Sequence, residues 1–197
     1  PGSMEGVGDG ASVSENMGHM SYAVPIAVPA GYQGLSPQLS LSYSSGGGNG
    51  LLGMGWTLPI ATVERWTQRG LPDYDEADDF VVAGEQLVRI PDTDPPIYRT
   101  RVERSFARYQ WMDSDGGAEG YFVAEYPDGR RTWFGADSSG AIVTSARTEG
   151  SGGTFRYHPV ETQDRLGHSI RYHWLNTDGS PLLLAIWWGP GSADESH

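Results

Sequence analysis

A glycine-rich stretch between Val28 and Trp56 is the most distinctive part of the chain, with the sequence VPAGYQGLSPQLSLSYSSGGGNGLLGMGW. Within it, Leu39, Leu41 and Tyr43 alternate with serines, which places the three apolar side chains on one face of a β-strand. Six glycines follow before the tryptophan, and they favour turns and close backbone approach, because glycine accepts conformations that other residues avoid. The stretch therefore predicts a half-buried strand and then a glycine-rich β-connection that ends at a core-anchoring Trp56.

Short strand patterns of the same kind continue to the end of the chain. Pro127 to Gly129, Asp164 to Gly167 and Asp178 to Pro181 predict tight connections between them, since glycine tolerates the positive φ of such turns. The density of Gly and Pro would end any helix early. We therefore expect an all-β fold of many short antiparallel strands and hairpins, forming a sandwich or part of a β-shell. Beyond residue 44 the predicted strands are Phe80–Val82, Gln86–Ile90, Ala107–Met112, Tyr121–Tyr126, Arg131–Phe134, Ala141–Ala146, Thr154–Val160, Ser169–Trp174 and Leu182–Trp188.

The two ends of the chain differ in composition from its middle. Residues 1–20 are small, polar and rich in glycine, so we expect a cloning remnant followed by a flexible leader. Tyr22 to Pro29 is expected to be an extended segment at a sheet rim, because Pro25 and Pro29 cannot donate to a ladder. Residues 21–190 are expected to form the β domain, and residues 191–197 a tail.

Composition argues against several classes of function. The formal net charge is −12 and all 13 basic residues are arginine, so the surface would repel nucleic acids and anionic membranes. The absence of cysteine excludes disulfides, thiolate zinc sites and a cysteine nucleophile. The longest apolar run, Leu182 to Trp188, is too short to span a bilayer. We expect no nucleic-acid partner and no membrane anchor in this fragment.

Two motifs raise the question of a bound ligand. Gly48 to Gly53 matches the glycine pattern of dinucleotide-binding loops, but Gly55, Trp56 and Pro59 would end the helix that such a loop must open. An acidic cluster offers oxygen ligands for a hard cation such as calcium, although its spacing fits no EF-hand loop. A solvated acidic turn fits the spacing better, and we predict no cofactor. The weak metal candidates are Asp73, Asp75, Asp78 and Asp79, and Glu76 lies in the same cluster.

Two histidines are the other candidates for a metal site. His158 and His173 are predicted to lie on strands that pair through the turn at Gly167. Alternation places Arg156 and Arg171 on the same outward faces as the histidines. Because no third ligand is evident, polar cross-strand neighbours explain this pattern better than a metal centre.

The serines do not form a recognisable catalytic site. None stands on a Gly-x-Ser-x-Gly turn, and no base is evident beside Ser36, Ser44 or Ser45. The sequence also has no zincin helix and no paired carboxylates with a clear acid–base role. We therefore expect that the chain is not an enzyme and assign no catalytic residue.

Aromatic residues are abundant, with seven Trp, ten Tyr and five Phe. Their usual role in β proteins is to bury large areas between packed sheets. Exposed aromatic platforms can also hold sugars, so an alternative function is a surface module that recognises glycans or a host or partner protein. The aromatic residues on predicted strands include Tyr109, Trp111, Trp133, Phe134, Phe155, Tyr157, Tyr172, Trp174, Trp187 and Trp188.

The stretch from Val28 to Trp56 resembles the signature of the N-terminal region in the SpvB and TcB insecticidal toxin-complex family, which is associated with Rhs and YD-repeat toxins. Ile60–Arg65, Asp79–Val88 and Asp164–Tyr172 also match, and the last is similar to Rhs hairpins, with His168 where Asn is more common. The positions of the structural signature are Gly31, Gly34, Pro37, Gly46, Gly47, Gly48, Gly50, Gly53, Gly55 and Trp56.

The resemblance implies a structural and encapsulating role. In this family such hairpins coil into a hollow, Rhs-like β-shell that encloses a toxic polypeptide until its delivery into a host cell. It implies a secreted protein whose partners are the remainder of its own toxin chain and a TcC/Rhs-like shell or toxin payload. Nothing in the chain resembles the ADP-ribosyltransferase domain of the family, so no catalytic residue is carried over.

Overall fold

The computed structural model describes residues 12–14, 19–50, 52–68, 70–75, 78–113 and 120–189. The chain divides into two units: unit 1 is Pro1–Pro29 with Pro37–Pro59, and unit 2 is Ala30–Ser36 with Ile60–His197. The glycine-rich stretch therefore leaves unit 1, contributes a short segment to unit 2, and returns. In the described part of the chain, no helix is both long and apolar enough to cross a membrane.

Unit 1 is built from short antiparallel strands. β1, β2, β3 and β6 form a sheet in that order, and β4 pairs with β5. The predicted strand at residues 39–44 is confirmed as β3, with the expected bounds. The strands are β1 (Ser12–Ser14), β2 (His19–Ile26), β3 (Leu39–Ser44), β4 (Asn49–Gly50), β5 (Gly53–Met54) and β6 (Trp56–Thr57).

The first strands begin earlier than the sequence suggested. Ser12–Ser14 and the start of β2, both within the expected flexible leader, pair with each other. The rest of that leader, residues 1–11 and 15–18, and the expected tail 191–197 lie outside the described residues. β2 lies between β1 and β3 in the sheet order, but β1 pairs only with residues 19–21 of β2. Among the described residues, Tyr22 to Ile26 therefore pair with β3 alone and lie at a rim, as expected. Pro25 is tolerated because β1 reaches only as far as Ser21 along β2.

Unit 2 is a nearly closed, barrel-like antiparallel sheet of twelve strands in its described residues. The strand order is β14-β15-β7-β8-β9-β10-β11-β12-β13-β16-β17-β18, and the two end strands approach each other. The strands are β7 (Val63–Arg65), β8 (Phe80–Val82), β9 (Glu85–Arg89), β10 (Ile97–Thr100), β11 (Arg108–Asp113), β12 (Gly120–Glu125), β13 (Arg131–Phe134), β14 (Arg147–Glu149), β15 (Thr154–Tyr157), β16 (Pro159–Gln163), β17 (Ser169–Thr177) and β18 (Ser180–Trp188). Two short 3-10 helices, Tyr32–Gly34 and Thr144–Ala146, complete it.

Aromatic rings fill the core of unit 2. Phe122 is fully buried, and its ring meets those of Phe80, Trp111 and Tyr157 edge to face at centroid distances of 4.9, 4.9 and 5.5 Å. Edge-to-face packing of rings stabilises the fold beyond the contribution of the apolar area that the rings bury. Core packing is therefore the role of most predicted aromatic positions, whereas Trp187 is 47% exposed.

Most predicted strands of unit 2 are confirmed within one to three residues, and all three predicted tight turns connect paired strands. Asp178 and Gly179, at φ 56° and 79°, form the two-residue turn between β17 and β18. The strand predicted at Ala141–Ala146 is wrong, because this segment has one isolated bridge and a 3-10 helix. The strand predicted at Thr154–Val160 is interrupted at His158, where β15 ends and β16 begins.

Candidate functional site

The signature residues are divided between the two units. Gly31 and Gly34 lie in the segment that belongs to unit 2. The remaining signature residues lie in unit 1, and the Gly48 to Gly53 pattern contributes to the β4–β5 ladder instead of opening a helix. Those in unit 1 are Pro37, Gly46, Gly47, Gly48, Gly50, Gly53, Gly55 and Trp56.

The Gly31 segment, residues 30–36, packs tightly against the last hairpins of unit 2. A side chain at Gly31 would collide with the carbonyl oxygen of Leu35 and would lie 3.2 Å from Cδ1 of Trp188. Leu35 is 8% exposed, and the Tyr32 ring stacks on the imidazole of His168 at 4.9 Å. Two separate pieces of the sequence signature therefore meet in the fold.

Asp164 organises the turn that presents His168. Its Oδ1 accepts hydrogen bonds from the backbone N–H groups of Leu166 and His168 at 2.8 and 2.9 Å. Its Oδ2 lies 2.8 Å from Nδ1 of His168. Burial alone would raise the pKa of Asp164, but the hydrogen bonds from His168 and Leu166 lower that pKa below its ordinary value. The ionised carboxylate thus holds the ring on which Tyr32 stacks.

In unit 1, Gly55 and Trp56 close the glycine-rich connection. Gly55 has φ 78°, and a Cβ there would lie 2.6 Å from the carbonyl oxygen of Ser44 and 2.7 Å from the Tyr43 ring. Only glycine fits such a position without movement of the backbone. The Trp56 ring lies 5.2 Å from the ring of Tyr43 but is only partly buried, so it anchors the connection less deeply than the sequence suggested.

The acidic cluster is tied to a buried arginine. Arg65, which is 8% exposed, pairs through Nη1 with Oδ2 of Asp78. The same carboxylate accepts hydrogen bonds from the backbone N–H groups of Asp73 and Tyr74 at 3.0 and 2.8 Å. Arg65 also donates to the carbonyl oxygen of Asp75. Among the described residues, no group of three His, Cys, Asp or Glu is placed to hold a metal ion. Of the cluster, Glu76 lies outside the described residues.

The two strand histidines do not share a face. His158 is 8% exposed, with Nε2 at 3.1 Å from Oγ1 of Thr148 and its ring 4.5 Å from Trp174. His173 is exposed on β17, with its ring 5.2 Å from that of Trp187. The strands on either side of the Gly167 turn do pair, as β16 with β17, but His158 precedes β16 and packs on Trp174, so it does not share the exposed face of His173.

His158 is an uncharged group inside unit 2 at neutral pH. Burial lowers the pKa of His158 to about 4, and the nearby charge of Arg156 acts in the same direction. Its Nδ1 has no hydrogen-bond partner among the described residues. The His158 backbone accepts from the N–H of Gly135 and donates to the carbonyl oxygen of Ala146, so it lies at a junction of three segments.

Two further buried charges are not evident from the sequence. Arg147 is 1% exposed and donates to the carbonyl oxygens of Gly135 and Gly120 at 3.0 and 2.9 Å. Glu161 is 3% exposed and accepts from the N–H of Ser138 at 3.2 Å. The sequence signal that could indicate a buried charge is a charged residue inside a run of strand-forming residues, as at Glu161. Both residues hold loops to the sheet through directed hydrogen bonds.

A polar groove of about 770 Å³ lies along β11, β12, β13 and β16. Three of its charged side chains pair with one another: Glu125 accepts from Arg108 at 2.9 Å and from Arg131 at 3.4 Å. All three side chains are more than a third exposed, so solvent weakens these pairs. Tyr126 also lines the groove, and burial raises the pKa of its hydroxyl above the ordinary value.

The class of protein follows from this geometry. The chain is an all-β module in which antiparallel hairpins surround an aromatic core and the Gly31 segment is fixed on the Asp164 turn. Its buried charges are used for structural contacts.

The chain belongs to the family described as "Salmonella virulence plasmid 65kDa B protein" (SpvB), whose family model matches residues 14–185. It is 26% identical over 206 residues to the mono(ADP-ribosyl)transferase SpvB of Salmonella choleraesuis strain SC-B67, covering 93% of this chain and 34% of that protein. The relative from Salmonella typhimurium strain 14028s is 26% identical over 199 residues, covering 90% and 33%. The chain spans about a third of the length of these curated relatives.

Solved structures have the same fold. The crystal structure of TcdB2-TccC3 matches 93% of this chain and 10% of that chain with a TM-score of 0.76 at 23% identity. The N-terminal domain of effector protein SpvB from Salmonella typhimurium strain LT2 matches 86% and 64%, with a TM-score of 0.73 at 23% identity. The Photorhabdus luminescens Tc holotoxin pore matches 91% and 10%, with a TM-score of 0.75 at 22% identity. The predicted all-β fold and the family resemblance are confirmed.

Proposed function

We propose that the chain is a non-catalytic β-module of a secreted bacterial toxin, which helps to house or deliver a toxic polypeptide. Family membership supports this role, as does the likeness in fold to TcdB2-TccC3 and to a Tc holotoxin pore. The partners in this proposal are the remainder of its own toxin chain and a TcC/Rhs-like shell or payload.

The observation that carries the proposal is the continuous twelve-stranded sheet of unit 2. Hydrogen-bonded hairpins and edge-to-face aromatic packing give a wall that resists local opening, because each strand is held both by its neighbours and by buried apolar area. A wall of this kind needs rigidity and no reacting groups.

The use of the charged groups supports a non-catalytic role. The buried charges of Arg65 and Glu161 are each bound to oppositely charged or backbone partners that fix a loop. An active site requires instead a nucleophile or base that is free to reach a substrate. We infer that the chain needs no cofactor.

The proposed housing of a toxic polypeptide is tested with two glycine substitutions in the natural full-length protein, produced in its native bacterium. Gly31→Ala forces a side chain against Leu35, whereas Gly48→Ala meets no atom within 4 Å and is the matched control. We expect the toxic polypeptide in the purified complex to be digested by added protease several-fold faster with Gly31→Ala and at the wild-type rate with Gly48→Ala. Equal digestion rates in both variants would contradict a housing role for this module.

The absence of catalysis is tested separately, because curated relatives are mono(ADP-ribosyl)transferases. The 197-residue chain is incubated with labelled NAD and a host-cell extract, and transfer of label to protein is measured. We expect transfer no faster than in the extract alone. Transfer that depends on the added chain would show that it is an enzyme.

A further inference from the structure

A small cleft on the outer side of β16, β17 and β18 is separate from the large polar groove. It encloses about 420 Å³ beside the loop that follows β13, and we call it the Trp187 cleft. Its walls combine one exposed indole with charged and hydroxyl side chains. The residues that define it here are Asp137, Ser139, Glu161, Arg171, His173 and Trp187.

The aromatic wall is exposed but held in place. Trp187 is 47% exposed, and its ring lies 5.2 Å from the ring of His173 on the neighbouring strand, at an interplanar angle of 57°. Trp187 is directly opposite Arg171 in the β17–β18 ladder. A fixed indole face is therefore open to solvent beside a guanidinium group.

The opposite wall offers a carboxylate that is already oriented. Oδ1 of Asp137 accepts from the N–H and Oγ of Ser139 at 2.9 and 2.6 Å, and from the N–H of Ala141 at 3.1 Å. Burial would raise the pKa of Asp137, but hydrogen bonds from Ser139 and Ala141 lower it, so the group is ionised at neutral pH. These three hydrogen bonds all reach Oδ1 and not Oδ2.

A buried carboxylate connects the two walls. The Glu161 side chain is 4% exposed, and its Oε2 accepts from the N–H of Ser138 in the Asp137 loop. Its Oε1 lies 3.6 Å from Nε of Arg171. This contact orients Arg171, and among the described residues its two terminal nitrogens have no partner. The polar groups are thus fixed before any ligand arrives, which lowers the entropic cost of binding.

We propose that the Trp187 cleft binds a carbohydrate. A pyranose ring has an apolar C–H face, which fits the Trp187 indole, and a rim of hydroxyl groups that both donate and accept hydrogen bonds. Asp137 then accepts from one hydroxyl while Arg171 donates to another. The cleft volume lies in the range of small-molecule sites, about 300–1,000 Å³, and suits one or two sugar rings. A phosphate or nucleic acid is disfavoured, because Asp137 and the net charge of −12 repel it.

The test is a glycan array probed with the fluorescently labelled 197-residue chain, followed by calorimetry with the best-retained glycan. We expect Trp187→Ala to weaken binding at least about tenfold, and Asp137→Asn to weaken it by a smaller factor. Leu184→Ala is the matched control, because Leu184 is 54% exposed on the same strand but does not line the cleft. This control should bind as the unaltered chain does.

Three outcomes overturn the proposal. The first is that the unaltered chain retains no glycan above the background measured with Trp187→Ala. The second is that the Trp187 and Leu184 variants lose glycan binding equally, because the hairpin as a whole and not the cleft would then be responsible for binding. The third is Trp187-dependent binding of a peptide library without glycan binding. None of these outcomes touches the proposed housing role, which depends on protection of a polypeptide from protease.

Discussion

The two units of the molecule are stabilised in different ways. In unit 1, every residue of β3 is only partly buried, and the backbone is packed closely at Gly55. In unit 2, most residues of β12 are buried, and Phe122 is fully buried in a cluster of aromatic and aliphatic side chains. Unit 1 therefore depends on positions where a side chain does not fit, whereas unit 2 depends on side chains that fill space.

The largest effect should come from Phe122→Ala in unit 2. Removing a fully buried ring leaves a cavity among Phe80, Trp111 and Tyr157, and we expect the free energy of unfolding to fall by about 3–5 kcal/mol. This loss of stability is measured by urea unfolding that is monitored by circular dichroism. Leu166→Ala, at a residue that is 64% exposed, should change stability by less than about 0.5 kcal/mol. Similar losses in both variants would remove the distinction between core and surface in unit 2.

Gly55→Ala makes the opposite test, because it adds atoms to unit 1. The new Cβ meets a backbone oxygen at 2.6 Å and the backbone has positive φ, so we expect a local loss of about 2–3 kcal/mol. Amide hydrogen exchange of β3 should accelerate while that of β12 is unchanged. Gly48→Ala, which meets no atom within 4 Å, should leave both strands at their wild-type rates. Unchanged exchange in β3 would show that unit 1 does not depend on this close approach.

Lowering the pH should reduce the free energy of unfolding of unit 2, because His158 is buried in its uncharged form. Its pKa is about 4 in the folded chain and about 6.5 when unfolded, so the unfolded state binds the proton first as the pH falls. The stabilisation is present above pH 6.5 and is lost between about pH 6.5 and 4, by an amount on the order of 3 kcal/mol. Urea unfolding at a series of pH values measures this slope. His158→Phe, which keeps a ring but cannot titrate, should have a flatter profile in that window, and an identical profile would rule out this histidine as the cause.

The smallest effect is expected at the turn that supports the Gly31 segment. Asp164→Ala removes the acceptor of two backbone hydrogen bonds and the contact with the His168 ring, and should lower the melting temperature by a few degrees, equivalent to about 1 kcal/mol. Asp164→Asn keeps one acceptor oxygen and should lose less. If the alanine variant melts as the unaltered chain does, the turn is set by Gly167 alone.

The sequence was most informative where structure is local. The bounds of β3 and the turns at Gly129, Gly167 and Gly179 follow from alternation and turn chemistry within a few residues. β10 was missed, because Pro95 and Pro96 directly precede it and break the strand pattern. Local patterns therefore predicted the fold class and most hairpins.

Contacts between distant segments were not predictable in the same way. The roles of Arg147 and Glu161 depend on carbonyl and N–H groups contributed by other strands and loops, and no spacing rule specifies them. The burial of His158 follows from a strand order that does not follow the chain order. The two walls of the Trp187 cleft are likewise joined by Glu161, which contacts Ser138 on one wall and Arg171 on the other.

The stacking of Tyr32 on His168 has a consequence for synthesis in the cell. The Gly31 segment is made first, and the turn and the β18 residue that receive it are synthesised more than a hundred residues later. At about 5–20 residues per second, the ribosome needs on the order of ten seconds to produce them. During that interval Tyr32 and Leu35 are exposed, so slower translation or chaperone binding at this segment should govern how much of the chain reaches its native state.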